Sequence, residues 1–84
     1  MKIKVQKEHI ECADSTVSGC PIARAVFDET GAWEVEATGD SIMIDGTHCA
    51  VPGEAFQFMC NFDDNRRDLC LPFSFELSEE VVSP

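Results

Sequence analysis

Polar and apolar residues alternate in four short segments of the chain, a pattern typical of strands with one buried face. The segments are residues 2–6, 33–38, 41–44 and 73–78. In the second segment, the apolar positions are Trp33, Val35 and Ala37. Glu34 and Glu36 alternate with them, so this segment predicts a strand with Trp33 in the core and a carboxylate face in solvent.

Turn signals connect the middle segments into a three-stranded meander. Residues 39–40 are Gly-Asp and separate the second segment from the third. Asp45-Gly46 is a strong signal for a two-residue hairpin. The chain is then expected to return as a strand along residues 47–51.

Helical spacing replaces alternation in two longer segments. Cys20-Pro21 opens the first, because proline is well tolerated at the first helical position, and Gly31 ends it as a left-handed stop. The second, residues 54–62, has apolar residues at positions i, i+3, i+4 and i+7. These are Ala55, Phe58, Met59 and Phe62. Residues 7–12 predict a further short helical turn.

The order of these elements predicts an α+β fold, β-α-β-β-β-α-β. Its small, mostly antiparallel sheet of about five strands would carry two short helices on one face. With 84 residues, the chain is expected to form a single domain over residues 1–78, followed by a flexible C-terminal tail over residues 79–84. The hydrophobic content of 44% is too high for a disordered acidic segment.

Charge is distributed unevenly along the chain. Between Glu8 and Asn65 there are twelve carboxylates and a single basic side chain, Arg24, in a protein of net charge −10. Such an excess of one sign repels anions and attracts basic partners. It argues against direct contact with nucleic acid or with an anionic membrane, because both need Lys and Arg to neutralise phosphate. The expected partner is therefore a basic protein surface.

Seven of these carboxylates are predicted to form a partner-binding face. They lie on the meander or bracket the second long helix: Glu34, Glu36, Asp40, Asp45, Glu54, Asp63 and Asp64. A face of this kind, if the seven converge, can occupy the nucleic-acid groove of another protein. The alternative is a solvated face whose effect is solubility alone.

Cysteine use gives a weaker signal. The five cysteines are odd in number and no export signal precedes them, so a disulfide framework is disfavoured and a cytoplasmic location is expected. Cys20, at the start of a helix, would face the positive end of the helix dipole, which predicts a lowered thiol pKa and a reactive thiol. The alternative is a small residue that fits a tight corner between loop and helix.

His9 and Cys12 form an H-x-x-C pair, with Cys20 the nearest third ligand for a zinc ion. A fourth ligand would have to be Asp14 or Cys70, and no recognised spacing is present. The chain contains no catalytic motif. We therefore predict no enzymatic activity, no metal and no cofactor, and keep a thiol or zinc module centred on His9, Cys12 and Cys20 as an alternative.

Four segments together resemble a group of small uncharacterised bacteriophage and prophage proteins. In chain order they are residues 7–10 (KEHI), 20–25 (CPIARA), 61–64 (NFDD) and 72–77 (PFSFEL). In that group an E-H-I element precedes a C-x-x-C-P-[IV]-A-x-A segment, and a phenylalanine-rich strand closes the chain. Val17 stands where the first cysteine of C-x-x-C would fall. The resemblance thus implies a phage accessory protein in the bacterial cytoplasm, with no activity attached to it.

Three hypotheses follow. The first is a non-enzymatic interaction module that binds a basic protein of the host or the phage, with a nucleic-acid mimic as its sharpest version. The second is the thiol or zinc module. The third is a phage structural or assembly protein without a discrete site, which could form a homo-oligomer through an exposed edge strand.

Overall fold

Strand β1, Lys2–Val5, begins the chain in a computed structural model that describes residues 1–14, 16 and 18–77. The elements that follow are α1 (Lys7–Glu11), α2 (Pro21–Thr30), β2 (Val35–Ala37), β3 (Ile42–Ile44), β4 (Thr47–Cys49), α3 (Gly53–Asp63), a 3₁₀ turn (Arg67–Leu69) and β5 (Phe73–Glu76). The predicted α+β class with antiparallel strands is confirmed. The predicted tail, residues 79–84, lies outside the described residues, and no described helix has the length and apolar character needed to cross a membrane.

The five strands form two sheets, where the alternation predicted one. β1 pairs with β5, with Ile3 opposite Phe75, and the meander forms a second sheet with β3 in its centre. The predicted strands over 33–38 and 47–51 shorten to three residues each.

Helix α2 connects the two sheets through packing, since it contacts β1 of one sheet and β2 of the other. Its buried residues are Pro21, Ile22, Ala23, Ala25 and Val26. At 100° per residue these positions cover roughly 200° of the helix surface, which is wider than the short apolar edge that helical spacing predicts. A helix buried over so wide an arc can pack against elements on different sides.

The ends of the two long helices follow from their sequences. The Cys20 Sγ accepts a hydrogen bond from the Ala23 N–H at 3.4 Å, and Gly31 ends α2 with φ at 67°. Asn65, at φ 60°, is the left-handed residue that follows α3, as Gly31 is for α2. The N–H of Arg66 donates to the Asn61 carbonyl, as in a Schellman motif. The predicted start and stop of α2 are confirmed.

One core connects both sheets. Buried residues from β1, α2, the meander, α3 and β5 belong to a single apolar cluster. Phe62 of α3 is its largest fully buried side chain. Phe73 of β5 stacks on Phe58 of α3, with ring centroids 4.9 Å apart. The meander is therefore held against the same core as the β1–β5 sheet.

Candidate functional site

The meander presents one face to the core and the other to solvent. Four inward side chains are buried: Val35, Ala37, Ile42 and Cys49. On the outer face, the register places Glu36 opposite Met43 and Met43 opposite His48. These three side chains form a row across the outer face, and Glu36 is its one carboxylate. The solvent-facing position of Glu36 is the one that the alternation in the sequence predicts.

Glu34 and Asp45 are joined at one end of the meander. The Glu34 N–H donates to Asp45 Oδ1 at 2.8 Å, and the Asp45 N–H donates to the Glu34 carbonyl at 2.9 Å. Asp45 (φ 49°) and Gly46 (φ 86°) are both left-handed, as a type I′ hairpin turn requires. The predicted hairpin is confirmed, and Asp45 in its turn is hydrogen-bonded to Glu34, which directly precedes β2; both acidic residues are exposed.

Trp33 lies in solvent, which corrects its predicted place in the core. Its side chain is 94% exposed, whereas Ala32 and Val35 on either side of the 33–34 pair are buried. The inward positions are therefore three residues apart, and the chain bends at Trp33 before β2 begins. Gly31 ends α2 in the left-handed conformation, and the apolar residue after such a glycine commonly packs on the last helical turn. That rule is the signal that could have placed Trp33 outside.

Trp33, Glu34 and Asp45 together form an exposed group, which we call the meander corner. It combines a large aromatic surface with two carboxylates from adjacent strand ends. The Glu34 backbone is joined to Asp45 by one hydrogen bond to the Asp45 carboxylate and one from the Asp45 N–H, and neither bond uses the Glu34 carboxylate.

The other predicted carboxylates lie elsewhere. Asp40 sits in the turn at the far end of β3, where its N–H donates to the Thr38 hydroxyl. Glu54 is in the first turn of α3, and Asp63 and Asp64 lie at its other end, roughly 14 Å away by helical rise. A cavity of about 280 Å³ lies between the 38–39 turn and Asp63. The structure thus brings Glu34 and Asp45 together, and it separates Glu54 from Asp63 and Asp64.

None of the seven carboxylates is within 4.0 Å of a cationic group among the described residues. The four ion pairs in that part of the chain are Met1–Glu76, Lys7–Glu11, His9–Asp28 and Arg66–Asp68. Six of the seven residues are exposed, and Glu36 is half-buried. Their negative charge is therefore not compensated locally.

His9 is buried, and both of its ring nitrogens have hydrogen-bond partners. Its Nδ1 accepts a hydrogen bond from the Gln6 N–H at 2.9 Å, and Nε2 lies 2.6 Å from Asp28 Oδ2. Since Nδ1 accepts, the proton is on Nε2, which donates to the carboxylate. Cys12, by contrast, is exposed. Cys12 and His9 both line a cleft of about 640 Å³. Both ring nitrogens of His9 have partners, so this imidazole is not free to act as a base toward the Cys12 thiol.

The structure contradicts the lowered pKa expected for the Cys20 thiol. Its side chain is 7% exposed, and burial raises its pKa against the weaker effect of the N–H groups at the helix start. The carboxylates of Asp63 and Asp14 act in the same direction as burial. Cys20 is thus a buried helix cap, the alternative that the sequence also allowed.

We expect thiol titration of the native protein to show one fast cysteine, Cys12, because the thiolate must be accessible to react. Cys12→Ser should remove the fast phase of reaction with an aromatic disulfide, and Cys20→Ser should leave it unchanged. All five thiols should react after denaturation. A fast phase that disappears in Cys20→Ser would contradict the buried cap.

In the part of the chain that the structure describes, no three His, Cys, Asp or Glu side chains converge in a way that could hold a metal ion. Comparisons with protein-family models, with curated protein sequences and with solved structures gave no match. Functional inference therefore rests on the geometry and charge of this chain.

Proposed function

We propose that this protein is a non-enzymatic interaction module that binds a basic surface of another protein through the exposed carboxylates at the Glu34–Asp45 end of its meander. The observation that carries the proposal is the set of uncompensated carboxylates around Glu34 and Asp45. The resemblance to phage and prophage proteins supports a role as an accessory protein in the cytoplasm of a bacterial host.

The position of Glu34 and Asp45 favours binding of a basic partner over a purely solubilising effect. Exposed charges that only maintain solubility need no fixed geometry, whereas Glu34 and Asp45 are held together by two hydrogen bonds. Two neighbouring carboxylates without internal cations attract an incoming guanidinium or ammonium group from either side. No Lys or Arg lies between residues 25 and 65, so no positive side chain of that segment weakens this field.

We expect the double variant Glu34→Gln/Asp45→Asn to lose about 2- to 30-fold in affinity for a basic protein partner, since each exposed charge pair contributes modestly. Asn at position 45 keeps an acceptor oxygen and tolerates positive φ, so the hairpin should be retained. The partner is obtained by capture from bacterial lysate on the immobilised protein, and its affinity is then measured with purified components. Binding should weaken between about 0.1 M and 1 M salt, as the Debye length falls from about 10 Å to about 3 Å.

The matched control is Glu8→Gln/Glu29→Gln, which changes the net charge by the same amount. Glu8 and Glu29 are exposed, and neither forms an ion pair within the described ranges. The control should bind as the unmodified protein does. Equal losses in both double variants, or an affinity that salt leaves unchanged, would contradict a localised acidic site.

Competition separates the nucleic-acid mimic from a general acidic binder. If the acidic face occupies a nucleic-acid groove of its partner, added duplex DNA or RNA should displace the protein from that partner. A complex that forms at the same affinity with nucleic acid already bound would exclude mimicry and leave the binding function in place.

A further inference from the structure

We infer that Trp33 is the anchor of this interaction and that it receives an arginine side chain of the partner, a proposal that rests on the binding function above. The guanidinium would stack on the indole face while its N–H groups reach the carboxylates of Glu34 and Asp45. The partner chemistry is then an arginine-containing basic segment, and the contact is the meander corner.

The indole of Trp33 lies in solvent. Trp33 is the single tryptophan of the chain, and at 94% exposure it is the most exposed large apolar side chain of the described residues. A tryptophan buries roughly 150–250 Å² when it is covered. Tryptophan is also among the residues that most often dominate binding energy at protein interfaces. Ala32 and Val35 hold the backbone against the core on both sides of the bend, so the indole is presented from an anchored segment.

Two negatively charged residues accompany Trp33, one next to it in the chain and one across the hairpin. Glu34 follows Trp33 directly, and Asp45 is hydrogen-bonded to the Glu34 backbone in both directions. A cation over an indole face is attracted by the ring quadrupole, and flanking carboxylates add to that attraction. An apolar partner surface would instead have to desolvate these two carboxylates without replacing their hydrogen bonds.

Arginine fits the meander corner better than lysine. A guanidinium is planar, stacks on aromatic rings and offers five N–H donors in a fixed fork. It can therefore contact the indole with its face and two carboxylates with its edge at the same time. An ammonium group is a compact point charge that loses more on leaving water.

The experiment is an NMR titration of the ¹⁵N-labelled protein with an acetylated and amidated tri-arginine peptide, compared with tri-lysine. We expect saturable shifts at the amides of Trp33, Glu34, Asp45 and Gly46 and a shift of the Trp33 indole N–H, with tri-arginine binding more tightly. Trp33→Ala should raise the dissociation constant for tri-arginine about 2- to 30-fold. Phe56→Ala is the matched control, because Phe56 is a 45% exposed aromatic residue near Gly39, at the other end of the meander.

Each result has a distinct meaning. If Trp33→Ala binds tri-arginine as the unmodified protein does, while Glu34→Gln/Asp45→Asn binds more weakly, the anchor is excluded and the acidic binding function stands. If neither variant changes binding, both proposals fail. Equal affinity for tri-lysine and tri-arginine would overturn the assignment to arginine. Concentration-dependent burial of Trp33 without peptide, seen as a blue shift of its fluorescence, would assign the corner to contacts between copies and overturn the anchor.

Discussion

Replacing Phe62 by alanine is expected to lower the free energy of unfolding by about 3–5 kcal/mol. Phe62 is 1% exposed and is the largest fully buried side chain of the described core. The substitution removes a ring that lies in the cluster shared by both sheets, and rigid neighbours can close only part of the cavity. Since domains of this size are stable by about 5–15 kcal/mol, the loss would be visible as a large fall in the urea midpoint.

Two controls separate core packing from the other contacts of Phe62. Phe56→Ala, on the same helix but 45% exposed, should cost about 1 kcal/mol. Arg67→Ala removes the guanidinium that lies 3.9 Å from the Phe62 ring centroid and should cost about 0.5–1 kcal/mol. If Phe56→Ala were as damaging as Phe62→Ala, the placement of the α3 faces would be wrong.

Ile3→Ala is expected to destabilise the protein by about 2–5 kcal/mol. Ile3 is fully buried in the centre of β1, where it stands opposite Phe75 of β5. Because β1 also packs on α2, the substitution loosens the contact that joins the β1–β5 sheet to the rest of the core. Urea unfolding followed by circular dichroism measures this loss.

Lys4→Ala is the control on the same strand. Lys4 is exposed and stands opposite Ser74, on the solvent side of the two-stranded sheet. We expect a change within about 0.5 kcal/mol, as for most surface substitutions. Similar losses for Ile3→Ala and Lys4→Ala would show that β1 does not have the register and inward face described above.

Elements whose signals are local were predictable from sequence. The Asp45-Gly46 hairpin depends on two residues that accept positive φ, and the ends of α2 depend on Pro21 and Gly31. The apolar stripe of α3 was equally readable, since all four of its predicted members are buried. Each of these signals acts over a few residues, so neighbouring sequence is sufficient to specify it.

The candidate site was only partly predictable. Alternation indicated that Glu34 would face solvent, and hairpin chemistry placed Asp45 in a turn. Glu34 and Asp45 are brought together by the pairing between β2 and β3, and Trp33 is exposed because the chain bends there, with Ala32 rather than Trp33 buried. Alternation alone placed Trp33 in the core, because it assumes that the strand begins before the residue at which the chain bends.

The amino-acid sequence by itself determined the α+β class, the order of the main elements, the turn chemistry and the strong negative charge, because these depend on composition and short-range pattern. The tertiary structure decided that the strands form two sheets, that β1 pairs with the distant β5, and that Trp33 stands outside beside Glu34 and Asp45. These features depend on which distant segments share one core, and the wide apolar surface of α2 contacts both sheets within it. The burial of apolar surface depends on contacts across the whole chain, so a local sequence pattern does not predict these features.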